Sequence, residues 1–249
     1  MSRFALIIEY DGANYAGWQL QNNQRTIQGE IEKAFEQLTQ TQVRITGSGR
    51  TDSGVHARRQ VAHFDSPKST LSKDNYRRGL NSYLNDDIII KDCQPVPDDF
   101  HARFQAIQRD YSYSITLESV AIDRQYLWYV PDALDLELLQ SAASFIRGEH
   151  DFRSFMHARS DVENTVCHVS ESSWKIQPKK LRYLIYGNRF LHNMVRCLVG
   201  TMIEVARGRY TLDELRDFVE NPDKEASVVC APAHGLVLEH VHYEKGLLE

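Results

Sequence analysis

The sequence predicts an α+β protein in which the element order β-α-β-β-α-β occurs twice, and three observations carry that expectation. Apolar and polar residues alternate over short runs, as at Tyr111, Tyr113, Ile115 and Leu117, which is the period of a half-buried strand. Elsewhere apolar residues recur every three or four positions, as at Ile27, Ile31, Ala34, Phe35 and Leu38, the stripe of an amphipathic helix. Both halves of the 249-residue chain show the two patterns in the same order, and that length accommodates two domains of about 100–150 residues.

In the first half, Phe4 to Tyr10 reads as a strand that ends in the Asp11-Gly12 turn. Thr26 is a good N-cap for the helix that follows. Val43 to Thr46 reads as a second strand, Val61 to Phe64 as a third, and a loop from Gly47 to Gly54 lies between them. Ser72 can cap a second helix carrying Tyr76, Leu80 and Leu84, and Ile88-Ile89-Ile90 forms the fourth strand. This is the order of the ferredoxin-like unit. In the second half, a strand at 111–117 precedes a helix through Leu136, Leu139, Ala143 and Ile146 that ends near Gly148. Strands at Val166 to Ile176 and Leu181 to Tyr186 flank a turn at Gln177-Pro178. A long apolar helix from Phe190 to Val205, a shorter one from Leu212 to Val219 and a strand from Gly235 to Tyr243 complete the half. The expected division is 1–104 and 105–249, two ferredoxin-like halves side by side with a central cleft, a common place for ligands.

Composition narrows the class. With 42% hydrophobic and 25% charged residues the chain reads as an ordinary globular protein. It has no apolar run of about 18 residues, and its opening MSRFALIIEYDG reads as a buried strand, not a signal peptide, so the expected location is the cytoplasm, away from any membrane. Cys93, Cys167, Cys197 and Cys230 are widely spaced and read as free thiols, neither disulfides nor zinc ligands. The formal net charge of −5 argues against a nucleic-acid partner, but phosphates respond to local field. Basic residues do bunch: Arg50, Arg58 and Arg59 in one loop, Arg77 with Arg78, Lys179 with Lys180 and Arg182, and Arg207 with Arg209. Charge alone leaves RNA binding undecided.

The most distinctive stretch is GSGRTDSGVHARRQVAHF, residues 47–64. Its glycines let the backbone turn sharply and approach a ligand, and between them stand one carboxylate, Asp52, and one guanidinium, Arg50. The lysine of a phosphate-binding P-loop is missing. Composition by itself reads the stretch as a polar turn between strands. His56 and His63 have no metal-ligand spacing toward Asp52.

The string GRTDSGVHA closely resembles the signature loop of the tRNA pseudouridine synthase A family. YDGANYAGWQLQNNQRTIQGEIEKAF resembles the opening segment of that family, ARFQAIQRDYSY its second motif, and NRFLHNMVRCLVGTMIEVARG its third. The four segments occur in the family's order and span Phe4 to about His240. Resemblance implies that Asp52 is the catalytic aspartate, that Tyr111 contacts the target base and that Arg196 pairs with the aspartate. It implies further that Arg50 helps to hold the flipped-out RNA and that Leu236 lines the base pocket. The sequence departs at Arg58-Arg59, where the family carries small or neutral residues; the change puts positive charge, with Arg58 as a candidate RNA contact, beside the site. From the residues alone, Tyr111 is a core aromatic, Arg196 a snorkelling arginine at a helix edge, and His192, four positions before it, a packed histidine.

The reaction implied breaks the N1–C1′ bond of uridine, turns the uracil and rejoins it through C5. It requires no metal, redox partner or organic cofactor, and a carboxylate can supply the nucleophile. The target nucleotide must leave its stack, which suits an aromatic-walled pocket. The family also implies a homodimer acting on the anticodon arm of tRNA, roughly positions 38–40. Two other readings remain: a non-catalytic tRNA-binding or folding module, which has no need of Asp52, and a metal-dependent hydrolase using Asp11, Asp52 and nearby histidines.

Overall fold

A computed structural model describes residues 2–157, 160 and 162–248. By contact the chain forms two compact units, residues 1–108 with 237–249, and residues 109–236. The class is α+β.

In the first unit the order is β1 (Arg3–Tyr10), α1 (Ile27–Thr39), β2 (Thr46–Gly47), β3 (His56–Asp65), α2 (Lys73–Tyr83) and β4 (Ile88–Val96). β1 lies between β3 and β4, antiparallel to both, and β2 pairs with β3. Among the described residues β4 pairs with β1 alone, an edge position that tolerates the missing N–H of Pro95. α1 begins where the sequence places it, with the Thr26 hydroxyl accepting from Gly29 N; such a cap is worth about 1 kcal/mol. α2 starts with a capping box between Ser72 and Asn75. Phe4, Phe35, Phe64 and Tyr76 form one ring cluster between sheet and helices, with Phe35 and Phe64 4.6 Å apart. Burying each such ring contributes roughly 1.5–3 kcal/mol.

Two differences from the expected elements have visible causes. The segment from Val43 to Ile45 is not a strand, although Val43 and Ile45 are buried. Side chains of α1 take its backbone groups instead: Ile45 N donates to Glu32 Oε1, and Ile45 O accepts from Gln28 Nε2. β3 starts at His56, five residues earlier than expected, so Arg58 and Arg59 belong to a strand and not to the loop that holds Arg50.

The second unit contains β5 (Gln108–Thr116, all but its first residue), β6 (Trp128–Tyr129), α3 (Leu136–Phe145), β7 (Gly148–Asp151), β8 (Val166–Gln177), β9 (Lys180–Gly187), α4 (Met194–Ala206) and α5 (Leu212–Glu220). Its strands run in the order β5-β9-β8-β7, antiparallel, and the two-residue β6 lies parallel to β5. β6 and β7 are too short for periodicity to reveal. α4 starts at Met194, four residues later than expected, because Asn193 adopts a left-handed backbone (φ 66°) that cannot continue a helix. His192 therefore precedes the helix and does not share a helical face with Arg196. Its exposed ring stacks on that of His157 at 4.8 Å.

The cysteines also differ from expectation. Cys93 and Cys167 are free and buried, but Cys197 and Cys230 form a disulfide. The pairing follows from a backbone bond, Ala231 N to Arg196 O at 3.0 Å, which lays residues 230–231 along the first turn of α4. No spacing rule reveals a contact made 33 residues apart.

The last strand, β10 (Leu236–His242), runs parallel to β3, with Val237 opposite His56 and Leu238 opposite Ala57. Residues 237–249 consequently group with the first unit, whereas a linear division at residue 104 puts them in the second.

His63, on β3, gives the first unit a pH dependence. The residue is 7% exposed and its Nδ1 accepts from Ala102 N at 3.1 Å. Burial, with His101 and Arg3 adding to it, pushes its pKa down to about 4. The unfolded chain, with a histidine near 6.5, binds the proton first. Stability should therefore be complete above about pH 6.5 and fall as the pH drops toward about 4. Thermal melts of wild type and His63→Gln across that window check this: the variant should show a flatter dependence of Tm on pH, and parallel curves would contradict it.

Candidate active site

In the first unit the loop from Gly47 to Val55 is fastened residue by residue. Ser48 N donates to Val61 O at 2.7 Å, and Ser48 Oγ donates to Gln60 Oε1 at 2.6 Å. Gln60, with no exposed surface, returns its Nε2 to Gly49 O. Thr51 is buried, its hydroxyl 2.7 Å from that of Tyr10. Burial raises the Tyr10 phenol well above its ordinary pKa, so this pair is a neutral hydroxyl–hydroxyl bond. Thr51 O accepts from Trp18 N, and Ser53 Oγ donates to Tyr15 O. A turn closes from Val55 N to Asp52 O with Gly54 at φ +79°, a conformation suited to glycine. On the far side, the buried His56 accepts from Gly12 N through Nδ1 and stands 2.9 Å from Asp11.

Asp52 is half-exposed between the buried Thr51 and Val55. Its backbone is thus held by neighbours on both sides while the residue keeps part of its surface open. Arg50 is exposed, and its Nε donates to Gln19 Oε1 at 3.1 Å. Arg58, also exposed, pairs with Glu239 of β10 at 3.3 Å, which offsets part of the charge it brings to this face. Among the described residues no cluster of three or more His, Cys, Asp or Glu side chains is placed to hold a metal ion.

The other predicted residues, Tyr111, Arg196 and Leu236, belong to the second unit. Tyr111 and Tyr113 share a face of β5; Tyr111 is 8% exposed and meets Phe190 edge-on at 5.3 Å. The Tyr113 hydroxyl donates to Pro232 O at 2.7 Å, and a Cβ at Gly235 would stand 2.6 Å from its ring. Residues 232–235 therefore lie tight against Tyr113, which sets the position of the buried Leu236. Arg196 is in the first turn of α4, with Nε donating to Ala231 O at 2.9 Å and Nη1 to Asn193 Oδ1 at 3.2 Å. It is the one residue of α4 that is not buried. Within the second unit Tyr113 thus shares a strand face with Tyr111 and holds the segment 232–235, whose neighbours Ala231 and Leu236 are the partner of Arg196 and the predicted pocket residue. Within the first the structure places Asp52 and Arg50 on one loop, with Arg58 on the adjoining strand.

Sequence reasoning missed Tyr10, Gln28, Gln60 and Tyr113 as supports of these residues. Gln60 left a faint signal: an amide in QVAHF, where the alternation of a buried strand asks for an apolar side chain. No helix of the described residues is long and apolar enough to cross a membrane.

Comparison with known proteins places the chain in one family. The family model described as tRNA pseudouridine synthase covers residues 6–105 and 142–244. A protein of a Geobacillus species named tRNA pseudouridine synthase A is 40% identical over 245 residues, 97% of this chain and 98% of that one. Proteins with the same name from Anoxybacillus flavithermus and Acetivibrio thermocellus are 38% and 41% identical, over 98% of this chain and 100% of each relative.

Proposed function

The chain belongs to the tRNA pseudouridine synthase family, and on that premise we propose that it isomerises uridine in the anticodon arm of tRNA with Asp52 as the catalytic carboxylate. The activity itself, conversion of uridine to pseudouridine in tRNA by an isomerase, follows from membership. The target, roughly positions 38–40, and the roles of individual residues are the proposal. The observation that carries the assignment is the Asp52 loop. A half-exposed aspartate on a backbone fastened through Ser48, Thr51 and Val55 supports the reading of a nucleophile held in place before substrate arrives.

The carboxylate forms a bond to the substrate, the N1–C1′ bond breaks, and the freed uracil turns. C5 then bonds to C1′, the bond to Asp52 breaks with its electron pair returning to the carboxylate, the C5 proton leaves, and N1 takes up a proton. Tyr111 stacks against the extruded base and Leu236 closes the apolar side of its pocket. Arg196 pairs with Asp52, and Arg50 holds the RNA in its opened form. The same reading makes the protein a cytoplasmic homodimer that needs no cofactor.

The test uses a tRNA transcript labelled at uridine, incubated with the protein in EDTA and monovalent salt, then digested and mapped position by position. Pseudouridine confined to the anticodon arm is expected. Unchanged uridine would indicate a binding or folding module, chain cleavage a hydrolase, and pseudouridine elsewhere a different target.

A further inference from the structure

We infer that Gln28 and Gln19 are positioning residues that fix the Arg50 guanidinium before RNA binds; the inference rests on the role just proposed for Arg50. Gln28 is 3% exposed, in the first turn of α1, and both ends of its amide are fully engaged. Its Nε2 donates to Glu32 Oε1 at 2.8 Å and to Ile45 O at 3.2 Å. Its Oε1 accepts from Gln19 Nε2 at 2.8 Å and from Leu20 N at 3.0 Å. Gln19 Oε1 in turn accepts from Arg50 Nε.

The chain has a forced direction. A carboxylate and a carbonyl can only accept, so the end of Gln28 facing Glu32 and Ile45 must be its NH2 group. Its oxygen then faces Gln19, which must present NH2 inward and oxygen toward Arg50. A donor such as Arg50 Nε is what that oxygen requires. Glu32 is itself held, accepting from Ile45 N and pairing with Arg44, so the relay starts from a fixed point. Two amides thus run from an anchored anion to the cation of the catalytic loop, and such chains polarise one another.

The contact engages one of the five N–H donors of the guanidinium, the one nearest the stem. A bond to Nε fixes the plane of the head and leaves the terminal nitrogens to meet a phosphate or a base edge. An exposed arginine otherwise samples many rotamers and must be ordered at the moment of binding, which lowers affinity and misplaces the substrate. The same Gln28 oxygen holds Leu20 N, so it also pins the start of the exposed stretch 20–25 that runs beside Gln19.

A double-mutant cycle tests the relay with single-turnover pseudouridine formation and filter-binding affinity for a tRNA transcript. Gln19→Ala should slow turnover about 10- to 100-fold, the range for a displaced positioning group. In an Arg50→Ala background the same change should cost less than about twofold, because Gln19 acts through Arg50. Gln28→Ala should follow the same pattern; should that buried change unfold the protein, the half-exposed Gln19 decides alone. A Gln19→Ala protein within about twofold of wild type, or one that loses as much again without Arg50, would overturn the inference. The affinity cycle does not depend on turnover: additive losses of binding overturn the relay even for a wild type that turns nothing over. An inactive wild type, by contrast, sinks the functional reading and is seen without any variant.

Discussion

Asp52→Asn is expected to abolish pseudouridine formation while leaving the fold and the affinity for tRNA intact. The replacement keeps the size of the side chain and removes its charge and its nucleophilic oxygen. Other groups make bonds that shape the loop: Val55 N binds the Asp52 backbone oxygen, Thr51 is held by Tyr10 and Trp18, and Ser48 by Gln60 and Val61. The melting temperature should therefore match wild type closely. The single-turnover rate should fall by at least about 10⁴-fold, as when a covalent nucleophile is removed. Affinity should be unchanged or somewhat tighter, since an anion facing a polyanion has gone. The measurement pairs nucleoside analysis of single turnovers with filter binding. Appreciable turnover by purified Asp52→Asn, free of wild-type enzyme, would sink the mechanism.

What the sequence made legible was whatever is written locally. The Thr26 and Ser72 caps, the stripe of α1 and the alternation of β5 depend on neighbours within four residues, and each element forms there, with β5 starting three residues before the alternation shows it. The Asp52 loop was legible for another reason, its likeness to a family signature. Features set by distant partners were not. Val43 to Ile45 has the composition of a strand, but Glu32 and Gln28 of α1 take the backbone groups a neighbouring strand would need. The start of α4 was masked because Phe190 and Leu191 continue its apolar run, while the left-handed Asn193 interrupts the backbone. Cys197 and Cys230 meet only because Ala231 bonds to the first turn of that helix. The glutamines are the clearest case. Gln28 in QGEIEKAF looks like any solvated helix residue, and only the placement of Gln19, Glu32 and Ile45 around it gives its amide a fixed orientation.

Arg196→Ala should produce the second large loss, about 10²–10³-fold in single-turnover rate, the range for removing a preorganised charge or donor. The argument begins with α4. Twelve of its thirteen residues are buried, and the exception is a cation in the first turn, where the helix dipole disfavours positive charge by about 0.3–1 kcal/mol. Packing does not ask for an arginine there. Bonds from Nε to Ala231 O and from Nη1 to Asn193 Oδ1 fix the guanidinium in one orientation, and its pairing with Asp52 is the role that the proposed function gives it. Removing the side chain should cost little stability, about 1 kcal/mol for the lost hydrogen bonds. The bond from Ala231 N to Arg196 O is made by the backbone and survives, as does the Cys197–Cys230 link beside it. Arg196→Lys separates the two possible roles. A lysine keeps the charge but lacks the planar fork, so it should restore part of the rate if the charge acts on Asp52. If Arg196 only braces residues 230–232, Arg196→Ala should lower rate and melting temperature together, and lysine should restore neither. A rate for Arg196→Ala within about threefold of wild type would remove Arg196 from the mechanism altogether.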